Sequence, residues 1–227
     1  MTSYPIETVK EALDSIDFSS AVITEAERDR LADLLFEIGA VKFGAFRIKL
    51  HETNPDAPLS PIYLNFRLLR SYPITLAYTA GLLQKLANGL EYQLLADIPT
   101  GVTPLVAAMT LISGVPMISP RKDSKSYGLG VAIDGEYKAG QHVLLVDDVV
   151  SGGESKFEAI EKLEKAGLMV KDLLVVIDRQ QGGAKTLEER GYQPHFVATI
   201  GQLLNRYRQT GVIDEERYQQ VKNYLEL

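Results

Sequence analysis

Residues 142–156, HVLLVDDVVSGGESK, constrain the fold more than any other stretch of this chain. Residues 143–146 are all apolar and run into two adjacent carboxylates, Asp147 and Asp148. A turn containing Gly152 and Gly153 follows and opens a helical pattern. An uninterrupted apolar run suits a strand buried on both faces, as in a parallel sheet, where functional groups gather at the carboxyl ends of strands. Glycines let backbone approach an anion closely, and the first amides of the next helix point toward it. The acidic pair can hold sugar hydroxyls or the waters of a magnesium ion. The competing reading is a solvated acidic turn.

The rest of the chain fits that strand into a regular series. Thr24 with Glu27 gives a capping-box signal before Leu31, Leu34, Leu35 and Ile38 at helical spacing, after a short helical arm over residues 4–15. Residues 43–50 and 62–68 read as strands, joined by a segment rich in proline and turn formers, and Pro73 starts a helix that runs to about residue 90. Beyond it strands are expected at 94–98, 115–118, 142–146, 173–178 and 195–200. Helices are expected at 104–112, 155–166 and 184–190, and two more are capped by Thr199 and Asp214. Such alternation implies right-handed βαβ units, hence an α/β fold with a mainly parallel sheet and helices on both faces.

At 227 residues the chain is expected to form one domain. It contains no cysteine, which excludes disulfide and thiolate chemistry and suits a reducing cytoplasm. No apolar run reaches membrane-spanning length and no charged-then-apolar leader is visible, so neither a membrane nor a secretory role is expected. A formal charge of −6 argues against nucleic-acid binding, which needs basic surface.

Against that acidic background the segment RKDSKSYGLG, residues 121–130, stands out: three cations with neither helical nor strand period. It reads either as a solvated loop or as a basic loop that closes over a polyanionic leaving group. The turn IPTGVTP, residues 98–104, offers amides with Thr100 and Gly101 for a phosphate, although most Pro/Gly turns are only turns. IDRQQGG, residues 177–183, places Arg179 at a strand end, where a guanidinium can grip a carboxylate or the carbonyls of a flat ligand. Dinucleotide and P-loop fingerprints are absent, the three histidines lack metal-ligand spacing, and there is no G-x-S-x-G elbow.

Taken together, VLLVDDVVSGGES resembles the signature by which type I phosphoribosyltransferases bind phosphoribosyl pyrophosphate. RKDSKSYG and IDRQQGG resemble the catalytic loop and the substrate-side motif of the orotate phosphoribosyltransferases, and FGAFRIK, SPIYLNFR and IPTGVTPLVAA also match that family in order. The similarity looks closest to the transferase domain of bifunctional UMP synthases. It implies the type I phosphoribosyltransferase fold, with residues 1–70 as an N-terminal hood, 71–211 as core and 212–227 as a C-terminal helix. It further implies transfer of phosphoribose to orotate, with Mg²⁺ held mainly by substrate and water near the acidic pair, in a homodimer whose basic loop 121–130 serves the neighbouring site.

Carried over by position, the resemblance gives Asp147 and Asp148 the ribose hydroxyls, and Asp148 the positive charge that develops on the ring. Ser151, Gly152, Gly153, Glu154 and Ser155 would hold the 5′-phosphate, which requires the Glu154 carboxylate to turn outward. Arg121, Lys122 and Lys125 would neutralise pyrophosphate with Thr100 and Gly101, Lys125 being the main catalytic lysine and Tyr127 a further loop contact. Lys49, Tyr63 and Arg179 would face orotate. Residues 50–59 form an insertion after Lys49 relative to the family pattern, beside the base.

Overall fold

The apolar run of residues 143–146 has cover on both sides because alternate residues of its strand feed two separate cores. In the computed structural model, which describes residues 6–48, 50–121 and 133–227, this strand is β6 (His142–Val150) at the centre of a six-stranded sheet. The others are β3 (Leu94–Asp97), β4 (Met117–Pro120), β5 (Ile133–Asp134), β7 (Met169–Asp178) and β8 (Gln193–Thr199), in the order β5-β4-β3-β6-β7-β8. All neighbours pair parallel except β4 with β5.

Leu144 and Val146 join one core with α4 (Pro73–Ala87), α5 (Thr103–Ser113), α8 (Ile200–Gln209) and α9 (Glu215–Leu225). Val143 and Leu145 join the other, against Ala159, Ile160 and Leu163 of α6 (Glu154–Lys165) and Leu187 of α7 (Gly183–Glu189). That two-sided cover is what the unbroken hydrophobic run predicts, since side chains alternate across a strand.

Before the sheet lie α1 (Ile6–Asp14), α2 (Glu25–Glu37) and an antiparallel hairpin of β1 (Val41–Phe46) with β2 (Ser60–Leu64). The expected capping box is present: the Thr24 hydroxyl accepts from the Glu27 amide, and Glu27 accepts from the Thr24 amide at 2.8 Å. Glu27 also ties α2 to α4, because Lys85, fully buried, donates to both its carboxylate oxygens at 2.7 and 3.0 Å. Burial alone would raise this carboxyl, but Lys85 and Thr24 outweigh it and its pKa is lowered.

Several boundaries differ from the sequence expectation. β1 ends at Phe46 rather than 50, and β2 ends at Leu64, where a 3₁₀ turn, Phe66–Ser71, begins. The inserted segment starts as a short helix, α3 (Leu50–Thr53). Buried His51 ties its ends, with Nδ1 accepting from the Ile48 amide at 3.0 Å and Nε2 lying 3.1 Å from the Ala57 carbonyl. β6 continues four residues past its apolar run, because the ladder with β7 carries on through Asp147, Val149 and Val150. Among the described residues no helix is long and apolar enough to cross a membrane.

Candidate functional site

Because β6 runs through Asp147 and Asp148, these neighbours point to opposite faces of the sheet. Asp147 shares the side of Val143 and Leu145, facing α6, and its Oδ2 lies 2.7 Å from Nζ of buried Lys156. Its Oδ1 accepts from the Asp148 amide at 2.9 Å, and Lys156 also donates to the Val149 carbonyl. Asp148 shares the side of Leu144 and Val146 and borders a narrow crevice with Phe66, Leu69 and Gly101. Burial pushes its carboxyl up to about 7, the negative charge of Asp147 adds to this, and Lys156 only partly opposes it. The sequence presents two equivalent carboxylates, and the fold makes one a neutralised anchor and the other a proton-hungry acid.

The 98–104 turn arrives beside Asp148 from β3. An ideal Cβ on Gly101 would sit 3.8 Å from both Asp148 Oδ2 and Arg67 Nε. Arg70 Nη2 donates to the Thr100 carbonyl at 3.2 Å, and the Pro99–Thr100 peptide is cis. At the base of the turn the Thr103 hydroxyl donates to Asp97, which is fully buried. The opposite loop, residues 151–153, leads into α6 with Gly153 at φ +89° and open space at the Gly152 Cβ position. A Cβ on Gly183 would come within 2.1 Å of the Ser151 carbonyl oxygen, so the IDRQQGG segment packs directly under this loop. The Arg179 amide donates to the Val150 carbonyl at 2.9 Å, fixing the same contact from the other strand.

On that floor, Nε and Nη2 of Arg179 are buried without a hydrogen-bond partner among the described residues. Burial lowers the guanidinium pKa, with Tyr224 of α9 opposing. An unsatisfied buried guanidinium is costly in isolation and well suited to an anionic ligand. Gln180 follows at φ 57°, its side-chain oxygen accepting from the Gly201 amide at 3.0 Å, which anchors the turn to α8.

The structure thus brings together Asp147, Asp148, Thr100, Gly101, Ser151, Gly152, Gly153 and Arg179 at the carboxyl ends of β3, β6 and β7. Ser155 lines a cleft of about 360 Å³ with Ile98, Pro99 and Pro120 on the α6 side. Tyr63 sits on the hairpin, 40% exposed, with its ring contact to Phe46 at 5.5 Å rather than to the acidic pair. Arg121 is exposed and held by Asp134, Nη2 to Oδ1 at 2.5 Å. Lys49, Lys122, Lys125, Tyr127 and the Glu154 side chain lie outside the described residues.

The sequence reading passed over Lys156, Arg67, Arg70 and Gly183. Lys156 carried a readable signal: a cation in the first turn of a helix opposes the helix dipole and needs a carboxylate to justify it. Arg67 and Arg70 carried one as well, being three residues apart and so on one face of a 3₁₀ turn.

No protein-family model matches the chain. It is 38% identical over 177 residues to the orotate phosphoribosyltransferase of Methanopyrus kandleri, covering 78% of this chain and 91% of that one. It is 33% identical over 194 residues to the uridine 5′-monophosphate synthase of Bos taurus, covering 85% of this chain and 39% of the relative. Among solved structures, the UMP synthase of Leishmania donovani superposes with a TM-score of 0.78 at 34% identity, over 87% of this chain and 42% of that one. The chain spans well under half the length of the bifunctional relatives it matches. The order of strands, the two loops flanking the end of β6 and the identity shared over nearly the whole Methanopyrus kandleri enzyme lead to one assignment: this chain belongs to the orotate phosphoribosyltransferase family.

Proposed function

We propose that the chain transfers the phosphoribosyl group of phosphoribosyl pyrophosphate to orotate, giving orotidine 5′-monophosphate and pyrophosphate in cytoplasmic de novo pyrimidine biosynthesis. The observation that carries this reading is the buried Arg179 guanidinium, unpartnered through Nε and Nη2, one strand from the acidic pair. A base bearing a carboxylate satisfies it through charge-assisted bonds, which are stronger than those a neutral base offers through its ring carbonyls.

The reaction needs no protein nucleophile, since a ring nitrogen of orotate takes C1 of the ribose as the bond from C1 to pyrophosphate breaks. What the chain supplies is alignment and charge. Asp147 and Asp148 hold the ribose hydroxyls, and Asp148, which makes no ion pair among the described residues, offsets positive charge developing on the ring. The 151–155 loop receives the 5′-phosphate. Thr100 and Gly101, with Arg121, Lys122, Lys125 and Tyr127 of the basic loop, receive pyrophosphate. Lys49, Tyr63 and Arg179 flank orotate.

Among the described residues no three His, Cys, Asp or Glu side chains could hold a metal together, and Asp147 is engaged by Lys156. Asp148 retains room for a water of Mg²⁺ bound mainly by substrate, which fits the donor set. Bound there, Mg²⁺ would neutralise diphosphate charge.

This reading keeps the chain as one domain, with residues 1–70 as hood, 71–211 as core and 212–227 as closing helix. It also takes the enzyme as a homodimer that shares the 121–130 loop. Purified protein given both substrates and Mg²⁺ should deplete the ultraviolet absorbance of orotate. Turnover with another base and none with orotate would overturn the base assignment, and no turnover with any base would favour a sensor of phosphoribosyl pyrophosphate. Mixing Lys125→Ala with Asp148→Asn protein should restore activity in hybrid dimers, and no rescue after confirmed subunit exchange would overturn the shared loop.

A further inference from the structure

A pyrophosphate group approaching the 98–101 turn meets buried Asp97 and the only partly compensated Asp148, so it needs cations fixed close by. In this structure Lys156 is engaged by Asp147, Arg121 by Asp134, and Arg70 donates to the Thr100 carbonyl. The Arg67 side chain makes no hydrogen bond or ion pair with the described residues, yet its Nε lies 3.8 Å from the Cβ position of Gly101. Arg67 and Arg70 sit three apart in the 3₁₀ turn Phe66–Ser71, where side chains so spaced project from one face. The bond from Arg70 to Thr100 therefore fixes the face that carries Arg67 against the same turn. Gly101 does not have a positive φ, so its backbone does not demand glycine. What its missing side chain leaves is a methyl-sized space between Arg67 and the Asp148 carboxylate, with Arg67 Nε and Asp148 Oδ2 each 3.8 Å from the Cβ position.

We propose that Arg67 is a substrate-binding residue that grips the pyrophosphate group of phosphoribosyl pyrophosphate over Gly101, from the N-terminal region and independently of the 121–130 loop. The inference rests on the transferase reading above and adds a binding residue to it. A charge-assisted guanidinium contact to phosphate predicts a loss of about tenfold or more on neutralisation.

The test is Arg67→Gln beside Arg67→Lys, with initial rates measured while each substrate is varied. Arg67→Gln should raise KM for phosphoribosyl pyrophosphate about tenfold, and KM for pyrophosphate similarly in the reverse reaction, leaving KM for orotate within about twofold. Arg67→Lys should recover part of the loss, since it keeps the charge without the fork. Calorimetric binding of magnesium pyrophosphate to the wild type and to Arg67→Gln gives a second readout that does not depend on the base. Unchanged pyrophosphate binding in Arg67→Gln, or an increase confined to KM for orotate, would overturn the proposal. A wild type that turns over no orotate yet binds pyrophosphate through Arg67 would sink the base assignment and leave this inference standing. Arg67 is exposed, so the variants are expected to fold, and matched melting curves establish that.

Discussion

Replacing Asp148 with asparagine should make the ligand-free protein more stable, and more so as pH rises. The carboxyl is pushed up to about 7 from an ordinary 3.8, because burial and the charge of Asp147 both penalise its ionised form. An acid whose folded pKa exceeds its unfolded one binds its proton more tightly in the native state. Its stabilising contribution is therefore fully present below about pH 4 and is lost as pH rises through about 7. A shift of roughly three units at ~1.4 kcal/mol each sets an upper limit of about 4 kcal/mol. Asp148 is half-buried rather than sealed, and water screening brings the expectation down to about 2 kcal/mol. Asparagine stays neutral throughout, so Asp148→Asn should match the wild type below about pH 4 and exceed it by about 2 kcal/mol at pH 8. Urea denaturation from pH 4 to 8, without Mg²⁺ or phosphate, measures the difference directly. A stability difference that stays flat across that range would refute the reasoning, whatever its absolute size.

Three further substitutions test the supports around this residue. Lys156→Met strands the Asp147 carboxylate in a buried site and should cost about 3–5 kcal/mol, read as a lower urea midpoint at neutral pH. Gly183→Ala puts a methyl 2.1 Å from the Ser151 carbonyl oxygen, so the loop has to shift; a loss of about 1–3 kcal/mol and a higher KM for phosphoribosyl pyrophosphate are expected. Lys85→Met leaves Glu27 buried with its cap but no cation and should cost about 3–5 kcal/mol. The double variant with Glu27→Gln should recover part of that loss, and additive losses in the cycle would argue against coupling.

The alternation of strands and helices was legible because each element carries its own period, and two of the expected caps, at Thr24 and Thr199, form complete capping boxes. The misplaced boundaries have physical causes that lie outside the local sequence. A strand reading stops at Asp147 because a carboxylate in a buried strand is costly. The strand continues because Lys156, supplied by the next helix, neutralises it and the ladder with β7 stays intact. Residues 62–68 read as one strand, but β1 runs out of partners beyond Val41, opposite Leu64, and the chain turns into 3₁₀ geometry instead. The Pro-rich insertion offered only turn formers, and its clasp depends on His51 reaching Ala57 across six residues. For the site, the motifs picked out the 98–104 and 151–155 loops and Arg179, which the fold gathers at neighbouring strand ends, while Arg67 emerged only when the 3₁₀ turn was docked against Gly101.

What the fold adds to the acidic pair is a division of labour imposed by strand parity. Adjacent strand residues cannot face the same way, so a motif that looks like a paired carboxylate ledge is split across the sheet. Asp147, on the α6 side, is held by the helix into which the 151–153 loop leads, so its ion pair couples loop position to the strand end. Asp148, on the α5 side, borders Gly101 and the 3₁₀ turn, and it makes no ion pair among the described residues. The two asparagine variants should therefore fail differently. Asp147→Asn should loosen the 151–155 loop and raise KM for phosphoribosyl pyrophosphate, whereas Asp148→Asn should spare the fold and lower kcat, because its charge is needed only once positive charge develops on the ring. Equal effects of the two on kcat and KM would mean that the carboxylates act as one ledge after all, and that the parity of β6 has no functional consequence.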